Sequence, residues 1–341
     1  MSTTTPPPRP AAALAMIPGV EGILLSPDAR AELESLVDLV TPEAADLASL
    51  DDATLATVEI VVGGWGCTVL DHTLLARMPR LRLLAYAAGT VKHTVTPACW
   101  ERDLAVSSAA AANAVPVAEF TFAAIVMIAK DVFRVRDRHR EVRGREPVVG
   151  QGPAGPVGAR GLRIGVVGAS HIGRLLIARL HTLDVEIAVA DPYLSADDAA
   201  ALAVEAMALD DLVAWADVIT IHAPELPSTR HMFDADRLAR MRDGAWLVNT
   251  ARGSLVDTEA LTRECVAGRL CACIDTPDPE PLPAESPLYD LPNVVLTPHI
   301  AGSLGNEVSR MGDLAVAEVR RFLAGEPLLH PVRATDLERI A

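Results

Sequence analysis

Leu162-Arg163-Ile164-Gly165-Val166-Val167-Gly168-Ala169-Ser170-His171-Ile172-Gly173 decides the fold. Leu162 to Val167 is a short, mostly apolar run of the kind that forms a buried strand. Gly168 permits a tight turn, and Gly173 lets the following helical stretch, Arg174 to Leu183, pack closely on that strand. A second strand, Val185 to Ala190, ends in Asp191, roughly twenty residues beyond the turn. A dinucleotide-binding fold places there the acid that holds the adenosine ribose. The helix N-terminus then presents free N–H groups to a pyrophosphate. Ser170 stands where the usual Gly-x-Gly-x-x-Gly has its middle glycine. Its Cβ and hydroxyl are expected to push the pyrophosphate slightly outward or to offer it a hydrogen bond.

Downstream, three polar signals each follow an apolar run: Asn249-Thr250-Ala251-Arg252-Gly253, Asp275-Thr276-Pro277-Asp278-Pro279-Glu280-Pro281, and Thr297-Pro298-His299-Ile300-Ala301-Gly302. Successive parallel strands deliver their carboxyl ends to one edge, so Arg252, Glu280 and His299 can converge. Arginine binds carboxylates bidentately and polarises a carbonyl. Histidine moves a proton near neutral pH, and a glutamate beside it holds the ring and stabilises its charged form. This combination suits oxidation of a 2-hydroxy acid or reduction of a 2-keto acid. The prolines at 277, 279, 281 and 283 stiffen the loop that aims Glu280.

Working back toward the N-terminus, the Thr/Pro-rich Met1 to Pro10 is expected to lack regular structure. Ala11 to Met16 reads as a first strand. It is too short for a signal-peptide core, and a single basic residue and several prolines precede it. Ser26-Pro27-Asp28 opens a helix predicted to run to about Val40. Val58 to Gly63, Leu81 to Ala87 and Leu104 to Ser107 read as strands, with helices over Asp71 to Met78 and Pro97 to Arg102 between them. That alternation predicts a parallel sheet. Val115 to about Arg143 reads as one long helix whose apolar first half buries against a second subunit or within its own domain. Gly144 to Gly161 reads as an ordered loop. Beyond Asp191 come helices over Leu209 to Ala216, Asp234 to Met241 and Asp257 to Val266. The strands between and after them are Asp217 to His222, Ala245 to Thr250, Leu270 to Asp275 and Val294 to Thr297. A last helix, Ser303 to Ala324, carries the chain back to its first domain.

The 341 residues suffice for two domains. The formal charge of -15 argues against a nucleic-acid binder. No uninterrupted apolar run reaches the ~18–20 residues of a membrane span. Lysine occurs only at 92 and 130. The five cysteines (67, 99, 265, 271, 273) lack metal-ligand spacing and read as small buried hydrophobes in a reducing, cytoplasmic compartment; no metal site is expected.

From about Ala12 to Pro331 the chain resembles the D-isomer-specific 2-hydroxyacid dehydrogenases. The resemblance is carried by Gly168 to Gly173, Asp191-Pro192-Tyr193, His222-Ala223-Pro224, Asn249 to Asp257, Asp275 to Pro283 and Pro298-His299. It implies an α/β protein with two Rossmann-like or flavodoxin-like domains. A discontinuous substrate domain (1–113 and 303–341) would accompany an NAD-binding Rossmann domain (114–302), with hinges near Ala114 and Ser303. It also implies a homodimer through the NAD-binding domain and the triad Arg252, Glu280 and His299. For the cofactor it implies contacts at Gly168, Ser170, His171, Ile172, Gly173, Asp191, His222, Pro224, Thr250, Ala251 and Asp275, the last toward the nicotinamide carboxamide. Asp191, with no arginine in the Pro192-Tyr193-Leu194 that follows, implies NADH over NADPH. Ala88, Gly89 and Thr90 resemble the loop whose N–H groups grip the substrate carboxylate, with Trp65 and Asn113 at its edge; His93 fits loop surface or site rim equally. Formate dehydrogenases of the superfamily carry Gln at the position of Glu280, which argues against formate. A second reading is an NADH-sensing interaction protein like the C-terminal-binding-protein corepressors, which share fold and triad; the acidic composition weighs against it.

Overall fold

The computed structural model describes residues 8–144, 151–152 and 155–337, and the chain falls into two compact units. Unit 1 comprises Met1–Asn113 and Ser303–Ala341; unit 2 comprises Ala114–Gly302.

Unit 1 carries five parallel strands, β1 (Ala11–Ala15), β2 (Asp38–Leu39), β3 (Ile60–Gly63), β4 (Leu83–Tyr86) and β5 (Ala105–Ser108), in the order β2-β1-β3-β4-β5. This is the flavodoxin-like order. Strands β3 and β4 are buried along their whole length, as a sheet covered on both faces requires. Ser26 caps the first long helix, Pro27–Leu36, by accepting the Ala29 N–H at 3.1 Å. That helix ends short of the expected Val40, because Asp38 and Leu39 leave it to form the edge strand β2. The C-terminal helix Ser309–Leu323 returns to cover this sheet, placing Met311, Ala315, Val316 and Val319 against Leu14, Val62 and Leu83.

After β6 (Gln151–Gly152) and β7 (Gly155–Pro156), which pair antiparallel, unit 2 builds a seven-stranded parallel sheet. Its strands are β8 (Leu162–Val167), β9 (Val185–Ala190), β10 (Glu205–Ala206), β11 (Val218–Ile221), β12 (Trp246–Asn249), β13 (Cys271–Ile274) and β14 (Val294–Leu296). The order β10-β9-β8-β11-β12-β13-β14 is the doubly wound dinucleotide-binding order extended by one strand. Strand β13 shows the two-faced burial: Cys271 and Cys273 enter one apolar cluster, Ala272 and Ile274 the other. All five cysteines are free and buried. Burial pushes the thiols of Cys67, Cys265, Cys271 and Cys273 up to about 12, so they stay protonated.

Several expectations need correction. The long helix is two helices, Ala110–Ala129 and Val132–Val142. They break at Asp131, which adopts a left-handed φ of 52° that aspartate tolerates better than most residues, is 5% exposed and pairs with Arg134. Helix Ala110–Ala129 is, by length and composition, apolar enough to cross a membrane. The sequence run looked shorter because Asn113, Glu119 and Thr121 interrupt it; here Ala118, Ile125 and Ile128 pack into unit 2. The helix after the glycine turn starts at His171 rather than Arg174. Helix Ala196–Ala201 and strand β10 were not foreseen. Of the loop expected at Gly144 to Gly161, residues 145–150 and 153–154 lie outside the described residues, as do 1–7 of the N-terminal segment.

One buried acid fastens the C-terminal segment of unit 1. Glu318, 1% exposed, accepts the Leu329 N–H at 3.0 and 3.1 Å and the His330 N–H at 3.1 Å. The segment then pairs antiparallel with β5 at Ser107 and Pro331. Glu318→Ala leaves those N–H groups without acceptors, a loss of about 2–4 kcal/mol. Urea unfolding should show a lowered midpoint; an unchanged midpoint would refute the role.

Candidate active site

In unit 2 the carboxyl ends of β12, β13 and β14 carry Arg252, Glu280 and His299. Asn249, the last residue of β12, folds its amide back: Nδ2 donates to the Arg252 carbonyl at 2.8 Å and Oδ1 accepts the Ala251 N–H at 3.1 Å. This side-chain turn sets the direction of the Arg252 loop. Gly253 then lies against the next loop, since a Cβ there would meet the Pro277 carbonyl carbon and oxygen at 2.2 Å. Only glycine permits that approach, and it brings the arginine loop onto the loop bearing Glu280. Arg252 is half-buried, donates to the Ala251 carbonyl at 2.6 Å and has no carboxylate partner among the described residues.

The His299 loop hangs from one carboxylate. Asp275, fully buried, accepts the Thr297 hydroxyl at 2.6 Å and the N–H groups of Ile300 and Ala301 at 2.8 Å each. Its carbonyl accepts the His299 N–H at 3.0 Å. Between those anchors His299 takes a φ of 55°, a left-handed conformation that surrounding bonds must enforce. Its Nδ1 lies 2.8 Å from Glu280 Oε1. A carboxylate only accepts, so Nδ1 carries the proton and Nε2 is left for a ligand. Both side chains are about half exposed.

At the carboxyl end of β8, Gly168 has a φ of 99° and Gly173 touches it so closely that a Cβ would sit 2.1 Å from the Gly168 carbonyl oxygen. Ser170 caps the helix by accepting the Gly173 N–H at 3.4 Å. That contact uses one oxygen lone pair and leaves the hydroxyl proton able to donate. The N–H groups of His171 and Ile172 find no acceptor among the described residues. Asp191 accepts the N–H groups of Ala169 at 2.7 Å and Tyr193 at 2.8 Å, bracing the turn. His222 abuts Gly168 through its backbone. Its ring is buried, with Nε2 2.9 Å from the Thr220 hydroxyl and Nδ1 unpartnered. Burial drives its pKa down to about 3, so it stays neutral. Unpaired helix N–H groups and an orphan imidazole nitrogen beside a glycine turn fit a dinucleotide.

Other expected residues are engaged elsewhere. Thr250 turns its hydroxyl to Thr121 at 3.0 Å, the Ala251 N–H is taken by Asn249, and half-buried Pro224 offers its carbonyl to Thr229 at 2.7 Å. In unit 1, the N–H groups of Ala88, Gly89 and Thr90 have no acceptor among the described residues. Trp65 is 36% exposed, His93 is exposed, and Asn113 accepts the Ser303 N–H at 2.9 Å. Sequence reasoning missed Asn249 and Gly253, although the turn residues themselves were visible. It did not foresee the three bonds that the Asp275 carboxylate takes from the His299 loop.

Residues 122–301 match the family model for the D-isomer specific 2-hydroxyacid dehydrogenase NAD binding domain. The chain is 35% identical over 75% of its length to (S)-sulfolactate dehydrogenase of Chromohalobacter salexigens, covering 82% of that protein. It is 32% identical over 76% of its length to D-3-phosphoglycerate dehydrogenase of Mycobacterium tuberculosis, but spans only 48% of that protein. Among solved structures, a phosphoglycerate oxidoreductase from Rhizobium etli is similar over 96% of this chain and 98% of its own, with 26% identity and a TM-score of 0.82.

Asp275→Asn tests the anchor. The amide replaces one acceptor by a donor facing either the Ile300 or the Ala301 N–H group, so unfolding free energy should drop by about 2 kcal/mol or more. The His299 loop is released at the same time, so kcat with any turned-over substrate should fall as well. Wild-type stability and kcat together would contradict the assignment.

Proposed function

This chain belongs to the D-isomer-specific 2-hydroxyacid dehydrogenase family and is an oxidoreductase of CH–OH groups; from that premise we propose an NAD-dependent D-2-hydroxyacid dehydrogenase working through Arg252, Glu280 and His299. The observation that carries this reading is the 2.8 Å contact between His299 and Glu280 on a loop end adjoining that of an Arg252 with no carboxylate partner among the described residues. Arg252 receives the substrate carboxylate and carbonyl and fixes their orientation. His299, held through Nδ1 by Glu280, gives a proton from Nε2 to the developing alkoxide in reduction. In oxidation the neutral ring removes the hydroxyl proton. Bound nicotinamide supplies or accepts the hydride. The N–H groups of His171 and Ile172 would hold its pyrophosphate and Asp191 its ribose, with His222 and Asp275 toward the nicotinamide. Ala88, Gly89 and Thr90 are the candidate carboxylate-binding N–H groups of unit 1, which we take to be the substrate domain.

NADH is the preferred form. Asp191 repels a 2′-phosphate, and Arg174, the nearest arginine in sequence to the turn, is turned to the Ala169 carbonyl at 3.0 Å and to Asp198 at 3.4 Å. The catalytic efficiency with NADH should exceed that with NADPH by at least about tenfold, the equivalent of ~1.4 kcal/mol. Equal efficiencies would refute this.

A homodimer through unit 2 is supported by its surface. Helix Val132–Val142 has no buried residue and β14 is half-buried throughout. A groove of about 790 Å³ lies there, lined by Phe133, Leu282, Tyr289, Leu291 and Leu296 among others. The free, buried thiols suit a reducing, cytoplasmic setting.

Two variants separate the roles. His299→Asn keeps size and some hydrogen bonding but cannot shuttle a proton, so kcat should fall ~10²–10⁴-fold with NADH affinity nearly unchanged. Arg252→Ala should raise KM and lower kcat together. Near-normal kcat in His299→Asn, with chemistry rate-limiting, would remove His299 from the mechanism. A chain that turns over no 2-keto acid at all would favour the NADH-sensing interaction protein instead.

A further inference from the structure

In unit 1, the chain crosses from β1 to β2 on one side and reaches β3 on the other. At such a switch point the loops after the two central strands diverge and leave a crevice that takes a ligand. Here those loops are Met16-Ile17-Pro18-Gly19 after β1 and Gly64-Trp65-Gly66 after β3. They are fastened to each other: the Ile17 N–H donates to the Trp65 carbonyl at 2.8 Å. Gly66, at a φ of 76°, lies under the Ile17 side chain, for a Cβ there would meet Ile17 Cγ1 at 2.5 Å. The strands below are buried, yet Ile17 is 52% exposed and Trp65 36%. Two large apolar side chains thus stand out at the switch point, and neither loop contains a lysine or arginine. The next loop along the same sheet edge, after β4, holds the unpaired N–H groups of Ala88, Gly89 and Thr90. Lys92, two residues further on, is already engaged within the chain.

We propose that the substrate is a 2-keto or 2-hydroxy acid with an apolar side chain of several carbons, branched or aromatic, that packs on Trp65 and Ile17. The proposal rests on the dehydrogenase reading above. The N–H groups of the β4 loop suit the carboxylate, and the apolar rim suits what is attached to it. A phosphate or sulfonate at Ile17 and Trp65 would find no charged donor in either loop.

The test is steady-state kcat/KM with NADH for glyoxylate, 3-phosphohydroxypyruvate, 3-sulfopyruvate, 4-methyl-2-oxopentanoate and phenylpyruvate, in the wild-type chain, Trp65→Ala and Trp65→Phe. One of the two apolar acids should exceed glyoxylate by ~10–200-fold, the range a hydrophobic pocket achieves. That preference ratio should fall at least about tenfold in Trp65→Ala and persist in Trp65→Phe. Turnover that favours glyoxylate or an anionic side chain overturns the proposal and leaves the dehydrogenase reading standing. An unchanged ratio in Trp65→Ala overturns the role of Trp65. No turnover of any 2-keto acid removes both.

Discussion

The buried carboxylate of Asp275 is the constraint on which the His299 end of unit 2 depends. It terminates β13, is fully buried, and takes one hydroxyl and two backbone N–H groups from the loop after β14. Burying a carboxyl group is costly unless hydrogen bonds replace its water. Because those donors all belong to residues flanking His299, the same bonds that solvate the acid also enforce the left-handed backbone at His299. The imidazole is then directed by two carboxylates with separate tasks. Asp275 fixes the backbone, and Glu280 fixes the ring.

Position along the chain explains what was legible. Strands β8, β9 and β11 to β13 lie inside a sheet covered on both faces, so each is an apolar run bounded by turn residues and reads directly. The edge strands β2 and β10 carry no such pattern. Glu205 and Ala206 of β10 are both exposed, and Asp38 and Leu39 of β2 were absorbed into the preceding helix. The break at Asp131 was hidden for a different reason. The apolar pattern gives way to charge at that point, but a change of polarity along one helix and a change of helix look alike until the backbone is seen.

Arg252, Glu280 and His299 could be singled out from sequence because each lies in the loop after a parallel strand, and such loops share an edge; the structure brings Glu280 and His299 into contact. The contacts that aim them were less legible. Gly253 matters through what its missing Cβ would strike, an atom pair twenty-four residues downstream, and no local pattern encodes that. Arg252 illustrates the converse. In a chain with 45 acidic and 30 basic residues, a half-buried arginine with no carboxylate among the described residues is conspicuous, but only the folded arrangement reveals it.

Ser170 shows how a departure from a motif can be absorbed. A helix start leaves several N–H groups without partners. The Ser170 hydroxyl takes that of Gly173, a cap that typically stabilises a helix by about 1 kcal/mol over an apolar residue. The N–H groups of Ser170, His171 and Ile172 are left without an acceptor among the described residues. Serine therefore does not block the turn, because its hydroxyl points back into the helix. It narrows the set of donors facing a pyrophosphate and makes the remaining geometry stiffer. The turn is braced from the other side as well, by the Ala169 N–H on Asp191. The residue proposed to hold the adenosine ribose thus also holds the loop proposed to meet the phosphates, so the two elements are mechanically one.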